Sequence, residues 1–278
     1  MNSRTRIVKD NLFKFLVFLF AVLSILPLFL IVFQIVRKGI SVISPEFFYK
    51  LPKPPGESGG GILNSLVGSF MLVILATAFS VPIGTLTGIF IAEVRNSFTE
   101  LLRTLVNVLQ GLPSIVIGIL AYLWVVKPMG GFSAISGAVA LAVMMLPVVV
   151  KTTEETVRLV PFTLREASFS LGASYTKMIF KIILPASAGG ILSGIIVGIS
   201  RIIGETAPLL FTAFGNPFVN LDPVKPTDAL PLLIFNYAMS PYEEWHKIAW
   251  GASLVLIIVV LGLNLLLKMV GKRWETKF

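Results

Sequence analysis

Six stretches of mostly apolar sequence, residues 15–36, 63–92, 105–126, 132–150, 182–214 and 249–267, constrain this chain more than any motif in it. About 20 apolar residues in a helix cross the hydrocarbon core of a bilayer. Inside that core every backbone N–H and C=O has to be bonded within its own segment, which leaves a bundle of spanning helices as the available fold. Composition agrees: 55% of the 278 residues are hydrophobic and 13% are charged, about half the charged fraction of a soluble domain. The first stretch is too long for the core of a leader peptide. Arg37 and Lys38 follow it in place of a small-residue cleavage site, so it is expected to be retained as a helix.

The chain carries a net charge of +9. Its basic residues do not alternate with aromatics as a nucleic-acid surface would require, and nucleic acid is excluded as a partner. They set topology instead. With six spans, the N-terminal segment, the second and fourth loops and the C-terminus share one side and hold 14 Lys and Arg, against seven on the other. This ratio predicts that both termini are cytoplasmic. There is no cysteine, hence no thiol chemistry, and a single histidine, His246, which rules out a multi-histidine metal site.

The remaining loops are less informative. Residues 51–61, rich in Pro and Gly, read as an external loop; they lack the Lys-Ser/Thr ending of a phosphate-binding P-loop. Residues 215–247 carry five prolines and predict an irregular external segment with a short amphipathic helix. Glycines spaced four apart, Gly84 with Gly88 and Gly190, Gly194 and Gly198 in series, mark faces where helices approach closely. Spacing leaves open whether the partner helix belongs to this chain or to another. Adjacent carboxylates at Glu154 and Glu155 point about 100° apart on a helix and read as a solvated face.

Two charges stand out. Arg201 and Glu205 are the only ionisable residues in the 32 residues from 182 to 213. A charge at the bilayer centre costs about 2.5–3.5 kcal/mol on insertion scales and usually faces a water-filled path or the bundle interior. Four positions apart in a continuous helix, the two would share a face and pair. Gly198 would lie on that face too, making the charged face the close-packing one. Pro208 frees a carbonyl one turn back and predicts a kink or break near Gly204. A guanidinium in such a break offers planar donors to an oxyanion such as phosphate. An ion pair that fixes helix register is the competing account.

Residues 165–185 are predicted to be cytoplasmic, yet Phe162, Leu164, Ala167, Phe169 and Leu171 make the segment apolar. Either a helix docking on a partner protein or one folded back on the membrane would explain this. Here the chain resembles a family. Glu166-Ala167, then Gly172, then Ile182, Leu184 and Pro185 are similar to the EAA loop of ABC-importer permeases. Ser168 stands where that pattern usually has a second Ala. The runs 112–118, 151–155, 201–212 and 240–246 resemble the phosphate permeases of the family. Lys151 replaces an Arg common there, which keeps charge but not bidentate bonding.

The resemblance implies an all-α, six-helix permease of the type I importer class, MetI-like, forming a single domain with its core at about 60–270. It implies that Arg165, Glu166, Ala167 and Gly172, in a coupling loop at about 151–181, dock into an ATPase subunit. The implied partners are a second permease, two ATPase copies and an external phosphate-binding protein. ATP and Mg would be held by the ATPases, with no cofactor, metal or covalent chemistry in this chain. Arg201 and Glu205 would serve phosphate translocation in a cell membrane by alternating access, driven by ATP. Two alternatives stay open: the same fold carrying sulfate or molybdate, and an ion-gradient-driven transporter, which would leave the loop around Glu166 without a role.

Overall fold

The computed structural model describes residues 3–274. The side-chain surroundings of Arg4, Arg6, Lys268, Lys272 and Arg273, and all of Lys277, used above for topology, lie outside the described residues. A long helix α1 (Ser3–Gly39) and a short α2 (Pro45–Tyr49) lead into α3 (Leu63–Glu93). Next come α4 (Ser97–Gly111) and α5 (Ser114–Ala121), the latter running through a π turn into α6 (Lys127–Met129). Then follow α7 (Ala134–Leu159), α8 (Phe162–Ser170), and α9 (Tyr175–Met178), which continues through a second π turn into α10 (Leu184–Ile202). The chain closes with α11 (Ala207–Leu210), α12 (Leu230–Ala238) and α13 (Glu243–Trp274). Among the described residues five stretches are long and apolar enough to span a membrane, or six if the bent pair Ser97–Gly111 and Ser114–Met129 counts as one span.

The centre of the bundle is α7, 72% buried over its most apolar window. It can sit there because its outer surface is small. Ala134, Ala138, Ala140 and Ala142 are buried on it, and its neighbours meet it through glycines. A Cβ on Gly84 of α3 would lie 2.9 Å from the Val149 side chain, and one on Gly88 2.6 Å from Thr153. On the other flank Gly194 presses against Thr152, and a Cβ on Gly198 would fall 2.9 Å from Met145. Without a hydrophobic force between helices in lipid, such close backbone contact supplies the attraction. Ser133 caps α7 with a reciprocal pair of hydrogen bonds to Ser136.

Three expected spans differ in the structure. The third, 105–126, is two half-helices, α4 and α5–α6, bent by 105°. The cause is local: the residue before a proline is driven to extended backbone, and Leu112, preceding Pro113, has φ −69° and ψ 135°. The fifth starts earlier than residue 182, at Tyr175, and ends at Ile202 instead of 214. Residues 203–206 leave the helix, and Pro208 begins the next one at its second position, where the missing N–H costs nothing. The break predicted near Gly204 is therefore present. The fourth runs on to Leu159, nine residues past 150, since Thr153, Glu154 and Val157 are buried there. The coupling loop is correspondingly shorter than 151–181.

Near the start of α7, segment 211–229 is irregular and folds over the helix ends. It supplies carbonyls from Thr212, Lys225 and Pro223 to the N–H groups of Ser133, Ala134 and Ile135, satisfying donors no helix can. Asp228, at its end, is buried and accepts hydrogen bonds from Asn64 and Ser65 of α3. The expected external helix is α12, whose Leu230, Leu232 and Leu233 are buried. Helix α1 stands apart, with no residue of its apolar window buried in this chain, and leans chiefly on α13, where Gly39 fits against Trp250 and Leu254.

Candidate translocation site and coupling surface

The two helix breaks meet. Gly118 of α5 lies so close to α11 that a Cβ on it would be 2.7 Å from the Pro208 Cα. This contact sets Ser114, the first residue of α5, beside the Glu205 carboxyl group. No side chain caps α5, while the Val116 and Ile117 N–H groups donate to the Pro113 carbonyl, which leaves the N–H groups of Ser114 and Ile115 as the orphan donors of this helix start. Arg201 stands on the last turn of α10 and is exposed, while Glu205 is half-buried.

The structure thus separates what a continuous helix would join. Arg201 and Glu205 form no ion pair among the described residues, although the Glu205 carboxyl feels the Arg201 charge. The close-packing face of α10 also differs from the expected one. It carries Ile191, Gly194, Gly198 and Ile202, all buried, and Arg201 sits off it. The glycines are answered within the chain: Gly190 against Thr156, Gly194 against Thr152 and Gly198 against Met145, all on α7. Their face is internal packing, leaving the Arg201 flank uncovered.

At the other end of α7, the expected coupling residues divide by direction. Arg165 turns inward. Its guanidinium lies 2.9 Å from Glu93 at the end of α3 and donates to the Val157 carbonyl at 3.1 Å. Glu166 and Ala167 face outward and are exposed. Gly172 ends the α8 turn at φ +74°, a conformation glycine adopts without strain. Around it the apolar Leu171 and Phe162 are 88% and 68% exposed. This segment is thus apolar, exposed and fastened at its back by an ion pair.

Two of its supports were not foreseen. Glu93 gave no signal beyond ending an apolar stretch. Glu154, read above as solvated, is in fact buried, and holds Arg103 of α4 at 3.0 Å and Arg158 at 2.9 Å. Burying one carboxylate between two guanidiniums ties the lower half of the broken span to α7; Glu155 is exposed as expected.

Residues 84–277 match the family model of binding-protein-dependent transport system inner membrane components. The chain belongs to this family of permeases. Its sequence is 42% identical over 242 residues to the phosphate transport system permease protein PstA of Yersinia pestis, covering 86% of this chain and 82% of that one. In fold, the permease is similar to a chain of a bacterial alginate ABC transporter, with a TM-score of 0.71, 14% identity, and 98% of both chains covered. It is also similar to a chain of the MetNI methionine ABC transporter, with a TM-score of 0.62, 16% identity, and coverage of 75% of this chain and 94% of that one. The all-α, MetI-like importer fold is thereby established, and the permease is a multi-pass membrane protein.

Proposed function

We propose that this permease carries inorganic phosphate inward through an ATP-driven importer, with Arg201 as the residue that meets the anion. The observation that carries the proposal is an exposed, unpaired guanidinium at the junction of two broken helices. Left in lipid it would be costly; facing a path shared with a second permease, it is a binding group. Arginine gives a dehydrating oxyanion planar, charge-assisted donors, and the uncapped start of α5 adds backbone N–H groups and a favourable dipole end. Glu205, held apart from Arg201, lowers the net attraction so that the anion is released. The identity to phosphate permeases over most of the chain supports phosphate as the cargo.

The outward face of α8, with Glu166, Ala167 and Leu171, takes an ATPase subunit, and the Arg165–Glu93 pair carries its movement to α3 and α7. Both termini and α8 lie in the cytoplasm, where the basic residues concentrate, and an external phosphate-binding protein delivers to the α12 end. The protein does no covalent chemistry; ATP and Mg belong to the ATPases.

Labelled phosphate uptake into proteoliposomes holding the permease, its partner permease and ATPases tests this. Uptake that needs ATP and the binding protein, and that resists sulfate, is the expected result. Sulfate uptake in its place would discard the cargo; uptake driven by an ion gradient without ATPase would discard the mechanism.

A further inference from the structure

A crevice between α1 and α13 at the α12 end shares no lining residue with the Arg201–Glu205 break. Its mouth is a cavity of about 620 Å³ lined by Arg37, Lys38, Ser41, Glu243, Lys247 and Trp250. Arg37 forms no ion pair among the described residues. The Lys38 ammonium stands 4.7 Å over the Trp250 ring, and Lys247 leans 2.8 Å from Glu244 in an exposed pair that holds it only weakly. Three cations therefore converge, with Glu243 beside them, directly after the apolar stretch of α1, at the end that carries fewer basic residues.

A second cavity, of about 360 Å³, shares Lys38, His246 and Trp250 with the first and is walled further by Ile234, Ala238, Ala249 and Ser253, so that it is mostly apolar below the shared residues. A basic mouth above an apolar slot matches a molecule with a charged head and a hydrocarbon tail. We propose that this crevice binds an anionic phospholipid, its phosphodiester at Arg37, Lys247 and Ser41 and one acyl chain in the slot. Lys and Arg side chains near a bilayer surface attract anionic headgroups by about 1 kcal/mol each, roughly fivefold in affinity, and a guanidinium suits phosphate oxygens. Free phosphate has the same head chemistry, but it gains nothing from the slot and, as a dianion, meets more repulsion from Glu243 and Glu244. The lipid would also fasten α1, which otherwise leans chiefly on α13.

Native mass spectrometry of the full chain in detergent tests this, titrating dioleoyl phosphatidylglycerol, then phosphatidylcholine, then inorganic phosphate. The chain is expected to retain one phosphatidylglycerol in preference to phosphatidylcholine. The combined variant Arg37→Gln, Lys38→Gln, Lys247→Gln should need about a hundredfold more, at roughly fivefold per charge. Removing three cations elsewhere at the same end, with Lys53→Gln, Lys127→Gln and Lys225→Gln, should change retention little. Ala238→Phe, which fills the slot and leaves the charges alone, should weaken lipid retention roughly tenfold; with Arg37→Gln alone it decides the matter if the triple variant does not fold. Equal retention by pocket and control variants would overturn the proposal. So would displacement of bound lipid by inorganic phosphate, which would assign the crevice to the free anion.

Discussion

The α8 end and the break after α10 treat charge in opposite ways. At the α8 end, Glu93 and Glu154 are buried and each meets guanidinium groups at 2.9–3.0 Å. At the break after α10, Arg201 on the last turn and Glu205 within the break close to no ion pair among the described residues. The first arrangement spends its charges on fastening helices; the second keeps a cation available. Burial of a carboxylate is tolerable only with its partner present, so the paired groups must stay together, moving as a unit, while Arg201 is free to take a ligand.

Breaking such a pair should give the largest effect. Arg165→Met strands Glu93, whose side chain is 6% exposed. Losing one partner of a buried pair costs about 3–5 kcal/mol, so thermal unfolding in detergent should show a large loss. Undiminished stability would mean that the pair is not structural. Arg201→Gln should do the reverse. Its unfolding temperature should stay near that of the parent, while phosphate uptake by the assembled transporter falls about 100-fold, the scale of a lost desolvated charge contact. A stability loss without a transport loss would return Arg201 to the class of register-fixing charges.

Asp228 at the α12 end is an intermediate case, buried but held by neutral donors. Burial pushes its carboxyl up from 3.8 to about 6, and hydrogen bonds from Ser65, the Ala229 backbone and Asn64 counter only part of that rise. Since the folded value exceeds the unfolded one, the stability it contributes is whole below pH 3.8 and is lost as pH rises to about 6. The loss is at most about 3 kcal/mol. Unfolding temperature should fall across that window, and Asp228→Asn should flatten the profile. A small perturbation of packing completes the set. Gly194→Ala places a methyl group against Thr152 and should cost about 1–3 kcal/mol, with Gly111→Ala, at an open position, as the unaffected control. Smallest of all, Glu166→Gln on the exposed face of α8 should move stability by less than about 0.5 kcal/mol while reducing ATP-dependent uptake.

Much of this was legible in the residues. Apolar length marked the five long spans and the bent pair between them, Pro208 marked the break near Gly204, and the spacing of Gly190, Gly194 and Gly198 marked a close-packed face. Proline at 113 was equally visible, but apolar length masks a break that does not change composition, so the third span read as continuous. Glu154 was misread because a carboxylate beside another on a helix has no sequence mark of burial. Its burial rests on Arg158 four positions on and on the approach of Arg103, 51 positions away in the chain. Sequence alone determined that this chain lies in a membrane as a helical bundle, and that Arg201 and Glu205 are the two ionisable residues of the stretch 182–213, since solvation acts residue by residue. Only the tertiary structure decided that the glycines pack within the chain, that Arg201 stays unpaired, and that Arg165 faces inward to Glu93, because each of these depends on which distant surface comes to lie opposite.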